Sequence, residues 1–258
     1  MTEQAAVRWL ILGSGFVGSA LAAYLESAGH VVGSLPAPRL EAGIDSDDAA
    51  LANQAANHPA LDGLKASMAD VDCVVLAAGL ATPDATATPA LFGANALLPG
   101  VILRAAQSAS VRRFIHLSSA AVQGRRRVLT EAADTHPFSA YSASKAMGER
   151  VIQRSTNDRT NAVMVRATSV QGSGRGTTVA LRRIARSGLS SVARPGSQPS
   201  PLSSIRMLCN FVQILGQWPE PVPSLCFSRG KGRCCQQDRQ GDDKHAHPAA
   251  SKDGKVVT

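Results

Sequence analysis

Short apolar runs, most of them closed by a glycine or serine, alternate with stretches of helical periodicity from Val7 to Ala167. Val7-Arg8-Trp9-Leu10-Ile11-Leu12 ends at a glycine and predicts a buried strand. Phe16 to Ala28 predicts a helix, with Gly29 at its C′ position. His30-Val31-Val32-Gly33 then predicts a second strand, and strand–helix–strand is the seed of a parallel sheet. A polar loop from Pro36 leads to helices over Asp47 to Asn57 and Leu61 to Asp70. Cys73 to Ala78 predicts a strand stopped by Gly79, and Pro89 to Ser108 a long helix with an irregularity at Pro99-Gly100. A strand over Arg113 to Ser118, a helix over Tyr141 to Arg154, a strand over Ala162 to Ala167 and a basic helix over Thr177 to Arg186 follow. Strands that are apolar throughout are covered on both faces. The expected fold class is therefore α/β, a Rossmann-type doubly wound parallel sheet.

The character changes near residue 190. Ser, Pro and Arg dominate Ser190 to Pro201, a helix is expected over Ile205 to Trp218, and no periodicity follows Pro223. The division expected is 1–190 as the dinucleotide domain and 191–258 as an irregular tail.

Composition narrows the classes. The 258 residues are 44% hydrophobic and only 4% aromatic, with a formal net charge of +8. The excess charge reads as a solvated basic surface. No basic run is interleaved with aromatics, so nucleic-acid binding is not expected. No run approaches the roughly 20 apolar residues of a membrane span. Met1 to Ala6 lacks a signal-peptide pattern, so a cytoplasmic protein off the membrane is expected. Four of the five cysteines lie after residue 208. Cys226, Cys234, Cys235, His245 and His247 match no common zinc spacing, and no metal is expected.

Two motifs carry chemistry. Gly13-Ser14-Gly15-Phe16-Val17-Gly18 lies between a predicted strand and a predicted helix. There the first glycine permits the turn, the second admits a pyrophosphate to the backbone, and the third lets helix and strand pack closely. The helix N-terminus offers free N–H groups to phosphates. The second strand usually ends in an acid for the ribose 2′-hydroxyl. Gly33-Ser34-Leu35-Pro36 stands there instead, with Arg39 nearby. NAD or NADP is the expected cofactor, with NADP favoured. Tyr141 and Lys145 are four apart on one helix face. A lysine ammonium there lowers the phenol pKa from about 10, which suits proton exchange with an alcohol or ketone.

Together these residues resemble the extended short-chain dehydrogenase/reductases, the NAD-dependent epimerase/dehydratase family of nucleotide-sugar enzymes. The resemblance spans roughly residues 7 to 190. It rests on the glycine turn, Val75-Leu76-Ala77-Ala78-Gly79, Asn95 in its helix, Arg113 to Gly124, Tyr141 with Lys145, and Val165 to Gly172. It implies that Ser119 hydrogen-bonds the reacting oxygen and Tyr141 is the acid/base. It implies that Lys145 holds the nicotinamide ribose and tunes Tyr141, and that Ala77, Ala78 and Gly79 line the cofactor cleft. Ser118 is read as structural. Where the family's sugar dehydratases carry an acid pair after the active-site hydroxyl, Ala120-Ala121 stand here, which argues against dehydratase chemistry. Gln123 and Gln171 replace the family's tyrosines, and Ala167 its proline. The resemblance also implies dimerisation through Pro89–Ser108 and Tyr141–Arg154.

The expected activity is epimerase or ketoreductase chemistry on a nucleotide sugar. The competing reading is a dinucleotide-binding protein without turnover. The C-terminal part departs most from the family, and a reduced or disrupted substrate lobe is expected there.

Overall fold

A computed structural model of the chain describes residues 6–81, 86–126, 128–188, 191 and 201–227. Six parallel strands form one sheet in the order β2-β1-β3-β4-β5-β8. They are β1 (Arg8–Leu12), β2 (Val31–Leu35), β3 (Cys73–Leu76), β4 (Arg113–Ser119), β5 (Asn161–Ala167) and β8 (Leu225–Phe227). A separate parallel pair joins β6 (Ser169–Gln171) to β7 (Leu202–Ser204). β3 is buried at every residue, as its unbroken apolar sequence requires. The doubly wound sheet matches the expectation.

Helices cover both faces. On one face α1 (Phe16–Ser27) and α8 (Ile205–Gln217) pack on Trp9, Ile11, Val75 and Ile115. On the other lie α2 (Asp48–Ala56), α3 (Leu61–Ser67), the short α4 (Pro89–Phe92), α5 (Leu98–Ser108) and α6 (Ala140–Ser155), over Leu10, Val74, Phe114 and Met164. α7 (Gly176–Ala185) packs in neither layer, and none of its residues is buried.

Local signals explain most boundaries. α1 stops because Gly29 takes φ +85°, so its N–H reaches Glu26 O and the His30 N–H reaches Leu25 O. Asp47 caps α2 by accepting from the Ala50 N–H at 2.7 Å. Ser204 caps α8 through the Met207 N–H. The other end of α8 is held by arginines, as Arg112 donates to Trp218 O and Arg113 to Glu220 O at 2.7 Å.

Several expectations need correction. β2 runs on to Leu35, so Gly33 and Ser34 lie inside a strand. The irregularity in the long helix sits one turn before Pro99, as a π turn over Gly93–Leu97. Pro99 has no N–H, and its ring would strike the carbonyl of Asn95 in a regular helix. Widening the preceding turn removes that clash, and the Leu98 N–H then bonds Gly93 O. The three-residue strands β6, β7 and β8 and the 3-10 turn Ala120–Gln123 are too short to carry a period, and were not expected.

Pro89–Ser108 is long and apolar enough to cross a membrane by length and composition, yet most of it is buried inside the chain. α2 lies across α5 and α6, the helices the resemblance assigned to a partner. Gly100 sits so tightly between Ala55 and Val151 that a Cβ would approach their methyl carbons at 3.0 and 2.6 Å.

Candidate active site

The glycine turn follows β1 and opens α1. Gly13 takes φ +116°, and a Cβ there would lie 2.7 Å from the Ala78 N. The turn is therefore pressed on the end of β3, and Ala77 is bound to it through the Leu12 carbonyl. A Cβ on Gly18 would fall 1.8 Å from Gly13 O, which seats α1 on the turn. Gly15 is different: it caps α1 from extended backbone, and nothing lies within 4 Å of its Cβ position. Ser14 and Gly15 are exposed, Phe16 and Val17 half-buried. The Phe16 ring packs where a Cβ on Gly172 would fall, so this residue offers the cleft only its backbone.

The first turn of α1 holds no acid, and no side chain caps it. An open glycine at an uncapped helix N-terminus fits the phosphates of a dinucleotide. Arg39 is exposed in the loop after β2.

The second half of the site lies between β3, β4 and α6. Ser119 ends β4, and its Oγ accepts from the Ala121 N–H at 3.2 Å, so it caps the 3-10 turn. α6 begins with a capping box in which Ser139 and Ser142 bond each other's backbone N–H. That fixes Tyr141, half-buried in the first turn. Lys145, one turn on, is buried, and its Nζ donates to Leu117 O at 3.2 Å.

Gly79 is where the halves meet. A Cβ there would lie 2.8 Å from Asn95 Oδ1 and 2.9 Å from Lys145 Nζ. Asn95 is fully buried by the π turn. Its Nδ2 donates to Leu80 O and to Ser144 Oγ, and its Oδ1 accepts from the Leu80 N–H. Ser144 in turn donates to Tyr141 O at 2.9 Å. The cofactor-side loop, the π turn and the tyrosine helix are thus one bonded unit. Ser119 and Tyr141 are not joined by a direct hydrogen bond.

Burial pushes the Lys145 ammonium down to about 8, against the opposing pull of the Glu149 carboxylate. His116, on the helix-α6 side of β4, is fully buried with neither ring nitrogen hydrogen-bonded among the described residues. Burial, and then the charge of Lys145, hold it well below the ordinary histidine range, so it is neutral.

Residues 9–201 match the NAD dependent epimerase/dehydratase family. The chain belongs to that family. A curated relative, the 4-hydroxy-2-methyl-3-oxo-4-farnesyl-3,4-dihydroquinoline-1-oxide ketoreductase of Stigmatella aurantiaca, is 31% identical over 173 residues. That match takes in 62% of this chain and 49% of the relative, so the chain spans about half the relative's length. Among solved structures, MoeE5 in complex with UDP-glucuronic acid and NAD is similar at a TM-score of 0.66 and 19% identity, covering 85% of this chain and 75% of that one. The UDP-glucuronic acid 4-epimerase of Bacillus cereus, with UDP-glucuronic acid and NAD, gives 0.66 and 18%, over 87% and 78%. DesIV of Streptomyces venezuelae, a dTDP-glucose 4,6-dehydratase with NAD and TYD bound, gives 0.65 and 19%, over 86% and 75%.

Within this family member, sequence reasoning missed three buried residues beside the site. His116, Glu149 and Arg166 are each 1% exposed or less. Two left a signal. Glu149 follows Lys145 by four residues on the buried stripe of α6, and Arg166 interrupts an apolar strand run. A buried charge needs a partner, and these two supply each other. Of the cysteine and histidine set weighed as a metal site, Cys226 is buried on β8. Cys234, Cys235, His245 and His247 lie outside the described residues.

Proposed function

We propose that the chain catalyses hydride transfer between a nicotinamide dinucleotide and a secondary alcohol or ketone of a nucleotide sugar, as an epimerase or ketoreductase, with Tyr141 as acid/base. The observation that carries this reading is the convergence of Gly79, Asn95 and Lys145 one helical turn from Tyr141. When bound, the nicotinamide supplies or accepts the hydride. The chain's own residues do the rest. The α1 N-terminus and the open face of Gly15 take the phosphates. Lys145, its ammonium brought down to about 8 by burial, holds the nicotinamide ribose one helical turn from Tyr141. Tyr141 then gives a proton to the substrate oxygen or takes one from it. Ser119 Oγ orients that oxygen.

Elimination of water needs an additional acid and base beside the active-site hydroxyl. Ala120 and Ala121 supply neither. That supports epimerase or reductase chemistry over dehydration. For the second ribose, β2 ends at Leu35 with no carboxylate, and Arg39 is exposed in the loop beyond. These features favour NADP, whereas the solved relatives hold NAD. Titration decides: the account expects tighter NADPH binding, lost in Arg39→Ala. NADH binding about tenfold tighter than NADPH would contradict the role given to Arg39.

The quinoline ketoreductase relative favours a second reading of the substrate, a ketone on a fused heterocycle. One experiment separates these readings from binding without turnover. NADH or NADPH is incubated with a panel of nucleotide sugars, nucleotide-sugar ketones and quinolone-type ketones, with reduction and epimerisation both followed, for the wild-type chain and Tyr141→Phe. The expected result is turnover that falls about a thousandfold or more in Tyr141→Phe with cofactor affinity unchanged. Cofactor binding without Tyr141-dependent turnover would favour a dinucleotide-binding protein.

A further inference from the structure

Beneath α6 lies a buried ionic cluster that the proposed reaction does not use. Arg166 Nε and Nη2 bond the two Glu149 carboxylate oxygens at 3.0 and 2.7 Å. Ser118 Oγ donates to Glu149 Oε1 at 2.6 Å. The other side of the guanidinium reaches backbone, with Nη1 on Ala132 O at 2.7 Å and Nη2 on Ala133 O at 3.5 Å. One ion pair therefore joins four parts: β4 through Ser118, α6 through Glu149, β5 through Arg166, and the segment from Val128 to Ser139 through its carbonyls.

Those parts carry the site. Ser118 precedes Ser119. Glu149 shares α6 with Tyr141 and Lys145. The tethered segment connects the Ser119 turn to the cap of α6. It is gripped at other points too: Gln123 Oε1 accepts from the Thr130 N–H at 3.0 Å, and Val122 O from the His136 N–H at 2.8 Å. Ala132, Ala133 and Asp134 are exposed; Asp134 pairs with Arg126 just before the segment, and the fully buried Arg166 is the side chain that ties its middle to the core.

Stability does not explain such a pair. Desolvating two charges offsets most of their attraction, and well-packed apolar residues of similar volume commonly do as well. What the pair adds is geometry. We propose that Glu149 and Arg166 are a positioning pair for the Ser119–Tyr141–Lys145 site, holding the segment from Val128 to Ser139 and the Ser119 turn in register with α6. The proposal rests on the function above. The Glu149 carboxylate also faces Lys145 along α6 and favours its charged form. The neighbours of that lysine from other elements are His116 on β4 and Asn95 on the π turn, both uncharged.

The test uses the full chain with Glu149→Leu and Arg166→Met together, Arg166→Lys, and Ser118→Ala. Amide hydrogen exchange is followed across residues 130–136, NADH affinity by fluorescence, and kcat and KM on the same substrate panel. In the double variant, exchange at 130–136 is expected to quicken about tenfold or more. Its kcat is expected to fall about tenfold to a hundredfold. NADH affinity and KM are expected to stay within about threefold of wild type. Arg166→Lys keeps the charge but not the fork, and should recover only part of the loss. Unchanged exchange and kcat, or a change in one without the other, would overturn the proposal. Should the double variant not fold, Arg166→Lys and Ser118→Ala give the same readouts. Should the wild-type chain neither reduce the ketones nor epimerise the nucleotide sugars, the proposed function falls, and the exchange difference alone decides the pair.

Discussion

Helices α5 and α7 put their apolar residues to opposite use. Nine α5 residues are buried, among them Val101, Ile102 and Leu103, under α2, α3 and α6. α7 is as clearly helical, yet Val179, Leu181 and Ile184 stand open beside Arg182, Arg183 and Arg186. Nothing among the described residues buries an α7 side chain. The difference is one of closure. α5 belongs to a region that satisfies itself within one sheet and its helices, and there the glycine turn, the π turn and the tyrosine helix lock together. α7 is tied to the described residues at its start, where Thr178 donates to Gln171 Oε1 and accepts from the Gly172 N–H, and it buries no side chain against them.

Three mutations probe that contrast. Leu103→Ala should cost the most, about 2–5 kcal/mol, because it opens a cavity in the fully buried core on the α5 face of the sheet. Chemical denaturation measures it, and a cost under about 1 kcal/mol would mean that α5 is not the closed core described. Lys145→Met comes next, and its sign is opposite. Burial pushes the Lys145 ammonium down to about 8 in the folded chain, against about 10.4 in the unfolded chain. Between those values the unfolded chain binds more protons, so wild-type stability rises with pH through that window. Lys145→Met removes the buried charge and should raise stability at pH 7 by about 1–3 kcal/mol while abolishing turnover. The gain should vanish near pH 10. A gain that persists there would assign the effect to packing. Leu181→Ala should be smallest, within about 0.5 kcal/mol, since it removes an exposed side chain. A cost like that of Leu103→Ala would show that α7 is covered in solution.

The same contrast sets what the sequence disclosed. The strands from β1 to β5 and their helices were legible because continuous apolar runs, periodicity and glycine stops agree there. Gly13, Gly15 and Gly18 were legible because each glycine answers a separate steric demand, and their surroundings differ accordingly: Gly13 and Gly18 crowded, Gly15 open. The junction at Gly79 was not legible from spacing. It depends on Pro99 displacing a helical turn so that Asn95 is buried beside Lys145. The Glu149–Arg166 pair also escaped notice, because a charged residue on an amphipathic helix reads as solvated until its stripe is matched to a facing strand. β8 escaped because its three residues, Leu225-Cys226-Phe227, are too few to carry a period.

The central claim is that the turn after β1 receives a dinucleotide phosphate, and Gly15→Ala tests it most directly. No atom lies within 4 Å of the added methyl, and the backbone there is extended at φ −74°. The fold should therefore lose no more than about 1 kcal/mol. NADH affinity, followed by fluorescence titration, should weaken about tenfold or more, because the methyl occupies the space the pyrophosphate needs. An unchanged affinity in a folded Gly15→Ala chain would contradict the account.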